Sequence, residues 1–596
     1  MKLNVKNTSN ETNNTNNKWH TNKYMDIYLK KIFENKDAYD SMMNPCKEHD
    51  AGLLPDIDEA SEFLLNNRDM SIFIFGDYDG DGILSTSILY NGLKQFFRSV
   101  NYMIPNREKD GYGMNTNMVK KAFEGREPSK MIVITCDNGI SCHEAINYAK
   151  EQGATVILTD HHTPDKNNLP NADYIIHPQL GNYPFGEISG ATVTYKFMNY
   201  LFNKAGYVNE ALSRYILQMA TISIVTDVMP VASSTKEEMD LNENRGILIK
   251  GLKSINETPD WHMSMLMDFM KIAPGTMDET SIGFSVGPTL NASGRIFDAT
   301  IAVDFFAYEE QDKEFANTSA SFLMYLNEKR KEMKNDELKL AKDVVCGNNC
   351  RLAFAEDLTK GLIGIVAGNF CQENHLPSGV FTLGVMNGEA VWTGSMRSDT
   401  INIYDALTWV NEQLPLVAFG GHSGAAGVSV KDSDKDKFIE LFEEYATQNA
   451  CEPLDISIQL DKFEDYKDFG EDLKLIKPLG QGLPRPTVKF KFYCDNVNIF
   501  YKSGHVKLGN YTQAELWLYS QKDAILKHPV LDVLPLSKSN VQAKIDEGMT
   551  PEEAEANKYE RYSKFKSYYL FDIVAEVDYS TFMNTTGPQL SVRSYD

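Results

Sequence analysis

Short apolar runs that stop abruptly at acids alternate, over the first half of the chain, with longer stretches whose apolar residues recur at helical spacing. Ile72–Phe75 is apolar at every position and halts at Gly76; Asp77, Asp79 and Asp81 then fall at alternate positions. Gly80 and Gly82 permit a sharp turn, and from Ile83 the pattern reads as a helix. Two further runs, Met131–Thr135 and Thr155–Thr159, end in the same way, at Cys136-Asp137-Asn138-Gly139 and at Asp160-His161-His162. Apolar runs of this kind predict buried strands, and the helical segments between them predict a parallel α/β sheet, whose carboxyl edge is where ligands gather. Upstream, Trp19–Met43 and Glu59–Asn67 have helical periodicity. Downstream, a helical stretch carries SIVTDVMP, which places Asp227 before Pro230. The segment 281–297 contains GPTLNASGRI, expected to be a glycine-punctuated loop bearing Asn291 and Arg295.

Residues 318–345 are charged with apolar positions at helical spacing, which predicts a long helix joining two domains. A second α/β pattern follows in RLAFAED, GLIGIVAGNF and GVFTLGV, and then come SMRSDT and FGGHSGAAGVSV. Beyond Cys451 the chain is rich in short strand patterns, among them TVKFKFYCDNVNIFY and GHVKLGNYTQAELWLY, with a polar helical insertion at about 535–564. That pattern suits a small barrel of the oligonucleotide-binding kind. The expected organisation is thus an Asn-rich tail (1–18), a first α/β domain with N-terminal helices (19–317), the joining helix (318–345), a smaller α/β domain (346–450) and the barrel (451–596).

Composition narrows the class. A chain of 596 residues, 42% hydrophobic and 24% charged, is that of a multidomain globular protein. No apolar run approaches the roughly 18 residues that span a bilayer. The start, MKLNVKNTSNETNNTNNK, lacks the apolar stretch of a signal peptide, and the eight scattered cysteines form no disulfide framework. A cytoplasmic, reduced protein of a bacterium or a virus-infected cell is expected. The net charge of -24 (59 basic, 83 acidic) argues against broad duplex binding but leaves room for a narrow basic groove.

The three acids after Phe75 also open like an EF-hand loop, but that loop needs a bidentate Glu at its twelfth position, where this chain has Ile88. Converging carboxylates repel unless a cation neutralises them, which points to a divalent-cation site, with a solvated acidic turn as the alternative for the DxDxD stretch alone. Asp79, Asp81, Asp137, His161, His162 and Asp227 are enough ligands for two cations, and mixed imidazole and carboxylate donors favour Mn²⁺ over Mg²⁺.

These residues, in their order, resemble the DHH phosphoesterase superfamily and, within it, the bacterial single-strand exonucleases. LLPDIDEA, GDYDGDG, IPNREKDGYGMN, DNG, TDHH, TDVMP and GPTLNASGRI carry the likeness in the first domain. GLIGIVAG, SMRS and GGHSGAAG are similar to the associated DHHA1 domain, and PLGQGLPRP is similar to the entry into the barrel. The resemblance implies that Asp79, Asp81, Asp137, His161 and Asp227 bind metal, with Asp137 bridging and Asp77 a ligand or a neighbour of ligands. It implies that His162 supports the site or faces the phosphate, and that Gly421 and His422 cradle that phosphate from the second domain. Arg397, beside Ser395, would contact phosphate, and Arg107, Asn291 and Arg295 would bind substrate. Thr289, Thr359 and Asn369 stand where the family pattern has arginine, histidine and arginine, and Phe75 stands where some relatives have histidine.

The expected activity is therefore metal-dependent hydrolysis of single-stranded DNA from the 5′ end to mononucleotides, by a monomer working beside replication or recombination proteins. Phe490, Phe492, Tyr493, Phe500 and Tyr501 are candidates for base stacking, although strand alternation must bury about half of them. The alternatives are a phosphodiesterase of short oligoribonucleotides or cyclic dinucleotides, and a non-catalytic replication scaffold.

Overall fold

The first apolar runs form the centre of a five-stranded parallel sheet: β1 (Ser71–Phe75), β2 (Val100–Met103), β3 (Met131–Cys136), β4 (Thr155–Thr159) and β5 (Tyr174–Ile176). Its order is β2-β1-β3-β4-β5. The computed structural model describes residues 18–386, 388–451, 456–494, 496–500, 505–509, 515–518, 550–551, 569–580 and 586–595. β1 and β3 are neighbours, and the chain direction of the crossovers reverses there, so the acids after both strands meet at the sheet's switch point. β3 is buried along its whole length, as a sheet covered on both faces requires. The helix Gly80–Leu93 leaves β1 and packs against the helices Gly190–Ala205 and Glu210–Thr226.

GPTLNASGRI is not a loop. It forms the helix Gly287–Ile296, which continues directly from the π-helical turn Ile282–Val286 with Pro288 at the junction. Its glycines serve close packing: a Cβ on Gly294 would lie 2.0 Å from the Tyr78 carbonyl oxygen, and one on Gly287 would lie 2.6 Å from Thr226 Cγ2. The joining helix runs Lys313–Asp343, beginning five residues before the expected position and ending two short of it.

A six-stranded mixed sheet follows: β6 (Val345–Cys346), β7 (Arg351–Ala355), β8 (Ser378–Met386), β9 (Glu389–Arg397), β10 (Ala418–His422) and β11 (Ala425–Lys431). The order is β10-β11-β9-β8-β7-β6, with β7 and β8 parallel and the other pairs antiparallel. The helix Lys360–Asn374 is the crossover between β7 and β8, and its first turn packs on the helix Gly287–Ile296. Both sheets and the joining helix belong to one compact unit, Pro45–Pro230 with Leu241–Leu454.

The second unit comprises residues up to Asn44, Val231–Asp240 and Asp455 onward. It holds two sheets. One is β12 (Ile458–Gln459), β13 (Thr487–Cys494), β17 (Tyr569–Ser580) and β18 (Gly587–Tyr595); the other is β14 (Asn496–Phe500), β15 (His505–Gly509) and β16 (Glu515–Leu518). Among the described residues these are separate sheets, not a closed barrel. Residues 1–17 of the tail and, apart from 550–551, the 535–564 insertion lie outside the described residues. Residues 19–43, placed by sequence with the first α/β domain, form the helices Lys23–Ile32 and Lys36–Met43, whose Tyr24, Met25, Tyr28 and Met42 share a core with Phe469, Phe490 and Phe571. An amphipathic helix shows that it needs a partner but not which one. Phe490 and Phe492 are buried in that core, whereas Tyr493 is exposed. Tyr501 and the Phe500 side chain are outside the described set.

Candidate metal centre and active site

The turn after β1 is built by its own acids. Asp79 caps the helix Gly80–Leu93, its Oδ1 accepting from the amides of Asp81 (3.0 Å) and Gly82 (3.1 Å). The Gly80 amide donates to Asn291 Oδ1 at 2.9 Å, which ties the turn to the helix Gly287–Ile296. Gly82 could not be replaced cheaply, because a Cβ there would lie 2.5 Å from the Asp77 carbonyl oxygen. Asp81 is buried and points at the start of the helix Gly190–Ala205. It accepts from the amides of Gly190 (2.7 Å) and Ala191 (2.8 Å) and from the Ser223 hydroxyl (2.5 Å). A carboxylate at a helix N-terminus is stabilised by the unpaired amides and the helix dipole.

Asp137 leaves β3 with φ +58°, a left-handed conformation uncommon for a non-glycine residue. Its Oδ1 is 3.1 Å from His161 Nε2, which also lies 3.6 Å from Asp81 Oδ2 and 3.6 Å from Asp227 Oδ2. Asp227 caps the C-terminus of the helix Glu210–Thr226. Three overlapping groups thus converge with ligand atoms within 4.8 Å of one another: Asp77, Asp79 and Asp137; Asp81, His161 and Asp227; and Asp137, His161 and His162. Burial pushes the carboxyls of Asp77, Asp137 and Asp227 well above the usual range, and the neighbouring acids add to it: Asp79 for Asp77, and Asp81 for Asp137 and Asp227. Burial also holds the His161 imidazole below its ordinary value.

Four atoms in this cluster are buried and have no hydrogen-bond partner: Asp77 Oδ1, Asp137 Oδ1, Asp227 Oδ2 and His161 Nε2. Buried polar atoms are almost always paired, so four orphans spread over these overlapping groups mark a place for ligands that accept their lone pairs. The donor set, carboxylate oxygen with one imidazole nitrogen, suits Mn²⁺ or Mg²⁺.

His162 is held from the side by Asp160, whose Oδ1 is 2.8 Å from His162 Nδ1 and also accepts from the His161 amide at 2.7 Å. The other carboxylate oxygen of Asp160 accepts from the Ile140 amide at 2.9 Å. Against the cost of burial, the Asp160 hydrogen bond raises the His162 imidazole to about 9, and the hydrogen bonds and charges of the two histidines hold the Asp160 carboxyl at about 2. The Tyr112 hydroxyl lies 3.2 Å from the His162 ring nitrogens and donates to the Asp137 carbonyl oxygen at 3.3 Å. Asp160, Tyr112 and Ser223 were not singled out as site residues from sequence. Asp160 was visible in TDHH and Tyr112 in IPNREKDGYGMN, but Ser223 carried no signal.

Arginines stand near the acids, Arg107 acting on Asp77 and Arg295 on Asp79. Arg107 lies over the Tyr78 ring, 3.9 Å from its centroid. Arg295 donates to the Gly361 carbonyl oxygen at 2.9 Å, reaching across to the crossover helix of the second sheet. Arg397 ends β9 and donates to Ser395 Oγ at 2.9 Å and to the Met396 carbonyl oxygen at 2.7 Å. His422 ends β10 and is exposed, and its side chain makes no hydrogen bond among the described residues; partial desolvation of its ring and the nearby Arg397 charge lower its pKa. Gly421 before it has φ +142°, and a Cβ there would lie 2.4 Å from the Ala425 carbonyl oxygen.

Residues 71–224 match the DHH family, N-terminal domain, and residues 347–448 match the DHHA1 domain. With the acid-edged parallel sheet in the first and the mixed sheet in the second, the chain carries the two domains of the DHH/DHHA1 phosphoesterase architecture. It is 28% identical over 505 residues to the single-stranded-DNA-specific exonuclease RecJ of Haemophilus influenzae, covering 78% of this chain and 82% of that protein. To the RecJ of Bacillus subtilis it is 29% identical over 430 residues, covering 70% of this chain but only 51% of that one. The chain thus spans about half the length of that relative. Its fold matches the crystal structure of RecJ in complex with Mn²⁺ from Thermus thermophilus, with a TM-score of 0.69 at 20% identity over 96% of this chain and 76% of that one. Within the superfamily, the chain is RecJ-like.

Proposed function

We propose that the chain is a metal-dependent exonuclease that hydrolyses single-stranded DNA from the 5′ end, releasing mononucleotides. The carrying observation is the set of four buried, partnerless donor atoms on Asp77, Asp137, His161 and Asp227. Those residues, with Asp79 and Asp81, would hold two divalent cations, Mn²⁺ or Mg²⁺. Bound there, such cations supply neutralisation of the phosphate charge and activation of water for attack. The chain's own groups do the rest. Asp160 and Tyr112 fix the His162 ring beside Asp137, while Arg397, braced by Ser395, and the uncommitted imidazole of His422 supply donors for a phosphate. Arg107 and Arg295 add positive charge on the approach, where stabilisation of developing charge is worth most. The single-stranded-DNA-specific exonuclease activity of the relatives supports the substrate. We further infer a monomer working in the cytoplasm beside replication or recombination proteins; among the described residues no helix is long and apolar enough to cross a membrane.

Degradation of 5′- and 3′-labelled single-stranded DNA and RNA, with Mn²⁺, Mg²⁺ or EDTA, tests this. The expected result is Mn²⁺- or Mg²⁺-dependent release of mononucleotides from the 5′ end of DNA. Cleavage confined to dinucleotides or very short RNA would replace the reading with a small-substrate phosphodiesterase, and inactivity with either metal would leave a scaffold.

A further inference from the structure

Lys329, Arg330 and Lys331 are consecutive on the joining helix, but only the lysines are neutralised. Lys329 pairs with Glu332 at 3.1 Å and Lys331 with Glu328 at 2.7 Å. The Arg330 guanidinium turns inward instead. Its Nε and Nη2 donate to Asn327 Oδ1 at 3.1 and 3.0 Å; the buried Asn327 Nδ2 donates to Thr289 Oγ1 at 3.0 Å, and Thr289 Oγ1 donates to the Ser285 carbonyl oxygen at 2.8 Å. This chain of bonds fixes one edge of the guanidinium and leaves the Nη1 edge uncommitted, since two of the five N–H donors are used.

Arg330 is not alone. Burial above all, then the charge of Arg107 and, more weakly, those of Arg330 and Arg397, bring the Arg295 pKa down to about 10 against the opposing charge of Asp79. None of the four forms an ion pair with a carboxylate among the described residues, although the chain carries 83 acids to 59 bases. The acids that act on them from a distance, Asp77 on Arg107, Asp79 on Arg295 and Glu328 on Arg330, form no ion pair with them, and gathering half-buried like charges is unfavourable unless an anion completes the group. A polyanion with regularly spaced phosphates would do so.

We propose that Arg330 is a phosphate-positioning residue for the bound strand, presenting its free guanidinium edge to a backbone phosphate beside the Arg107–Arg295–Arg397 group. The assignment rests on the single-strand exonuclease reading. It makes the joining helix part of the substrate path and not a spacer only.

The test compares wild type, Arg330→Ala, Arg330→Lys and the control Lys331→Ala on a fluorescent single-stranded oligonucleotide. Steady-state kinetics with Mn²⁺ is run beside equilibrium binding at several salt concentrations, with thermal melting as the fold control. For Arg330→Ala the expected result is a roughly tenfold higher KM at nearly unchanged kcat. The slope of log affinity against log salt should become shallower by about 0.7, one phosphate's share for a single strand. Arg330→Lys should restore the slope and part of the KM, and Lys331→Ala should match wild type. An Arg330→Ala slope equal to wild type overturns the proposal even if affinity falls, because the loss would then be structural. A melting drop that Arg330→Lys also shows overturns it in the same way. If wild type itself neither binds nor degrades the strand, the exonuclease reading fails and takes this proposal with it, an outcome visible without any variant.

Discussion

The edge of the first sheet and the edge of the second hold their charged groups in opposite ways. At the first, Asp79 and Asp81 are pinned by backbone amides, and Asp137 is wedged where a Cβ on Gly190 would lie 2.8 Å from its Oδ1. At the second, His422 stands exposed on an edge strand paired to Ala425, and among the described residues its side chain makes no hydrogen bond. The first edge is prearranged by its own hydrogen bonds; in the function proposed above it receives cations, and the second is completed by the substrate. A group of carboxylates must be prearranged because mutual repulsion would otherwise scatter it, whereas a neutral imidazole costs little to leave waiting.

The sharpest way to break this contrast is Asp137→Asn, which keeps the shape but removes the shared negative charge. Hydrolysis should fall by at least ~10³-fold with Mn²⁺ at saturation, with circular dichroism and melting close to wild type. Residual activity above a few per cent would show that Asp137 is not central to metal holding. Next in size is His422→Ala. Single-turnover rates should drop by about 10²-fold while calorimetric Mn²⁺ affinity stays within about twofold of wild type. A large loss of Mn²⁺ affinity would move His422 to the metal side of the comparison, and normal turnover would remove it from the site.

Asp160→Asn probes the support beneath the first edge. The amide can still accept from the Ile140 amide, but it loses the charge that orients His162, so activity should fall by about tenfold, the usual scale for groups that orient ligands. Activity equal to wild type would mean that His162 needs no such orientation. The smallest effect is confined to the metal-free protein. Asp77, Asp137 and Asp227 have folded-state pKa values raised above their unfolded ones by burial and mutual repulsion. The folded state therefore binds more protons, and stability present below about pH 4 is lost as pH rises through the folded values. After EDTA treatment the melting temperature should be lower at pH 8 than at pH 5, once a variant with Asp77, Asp137 and Asp227 changed to Asn is used as reference. Mn²⁺ should restore more at pH 8. A metal-free protein that gains stability over that interval relative to the reference would contradict the raised values.

Much of the acid edge was legible along the chain. Strand period and the parallel arrangement deliver Asp77, Asp137 and His161 to one edge whatever the rest of the fold does, and an apolar run ending in acids states this locally. Glycine was misleading, since it signals either a turn or a close approach. In GPTLNASGRI the deciding fact is the Tyr78 backbone lying against Gly294, more than two hundred positions away in sequence. The N-terminal helices announced an apolar stripe but not that their partner is the last strand-rich region.

What the sequence by itself determined, then, is the parallel sheet, its ligand-bearing edge and the long joining helix, because each follows from periodicities within a few residues. Tertiary structure alone decided which atoms are left without partners. Asp81 is satisfied by a helix start at Gly190 and Asp137 Oδ1 is not; Lys329 is neutralised on its own helix, and Arg330 is turned to Asn327 and Thr289. Satisfaction of a polar group is a sum over everything packed around it, and in this chain the deciding neighbours stand from three to more than a hundred residues away.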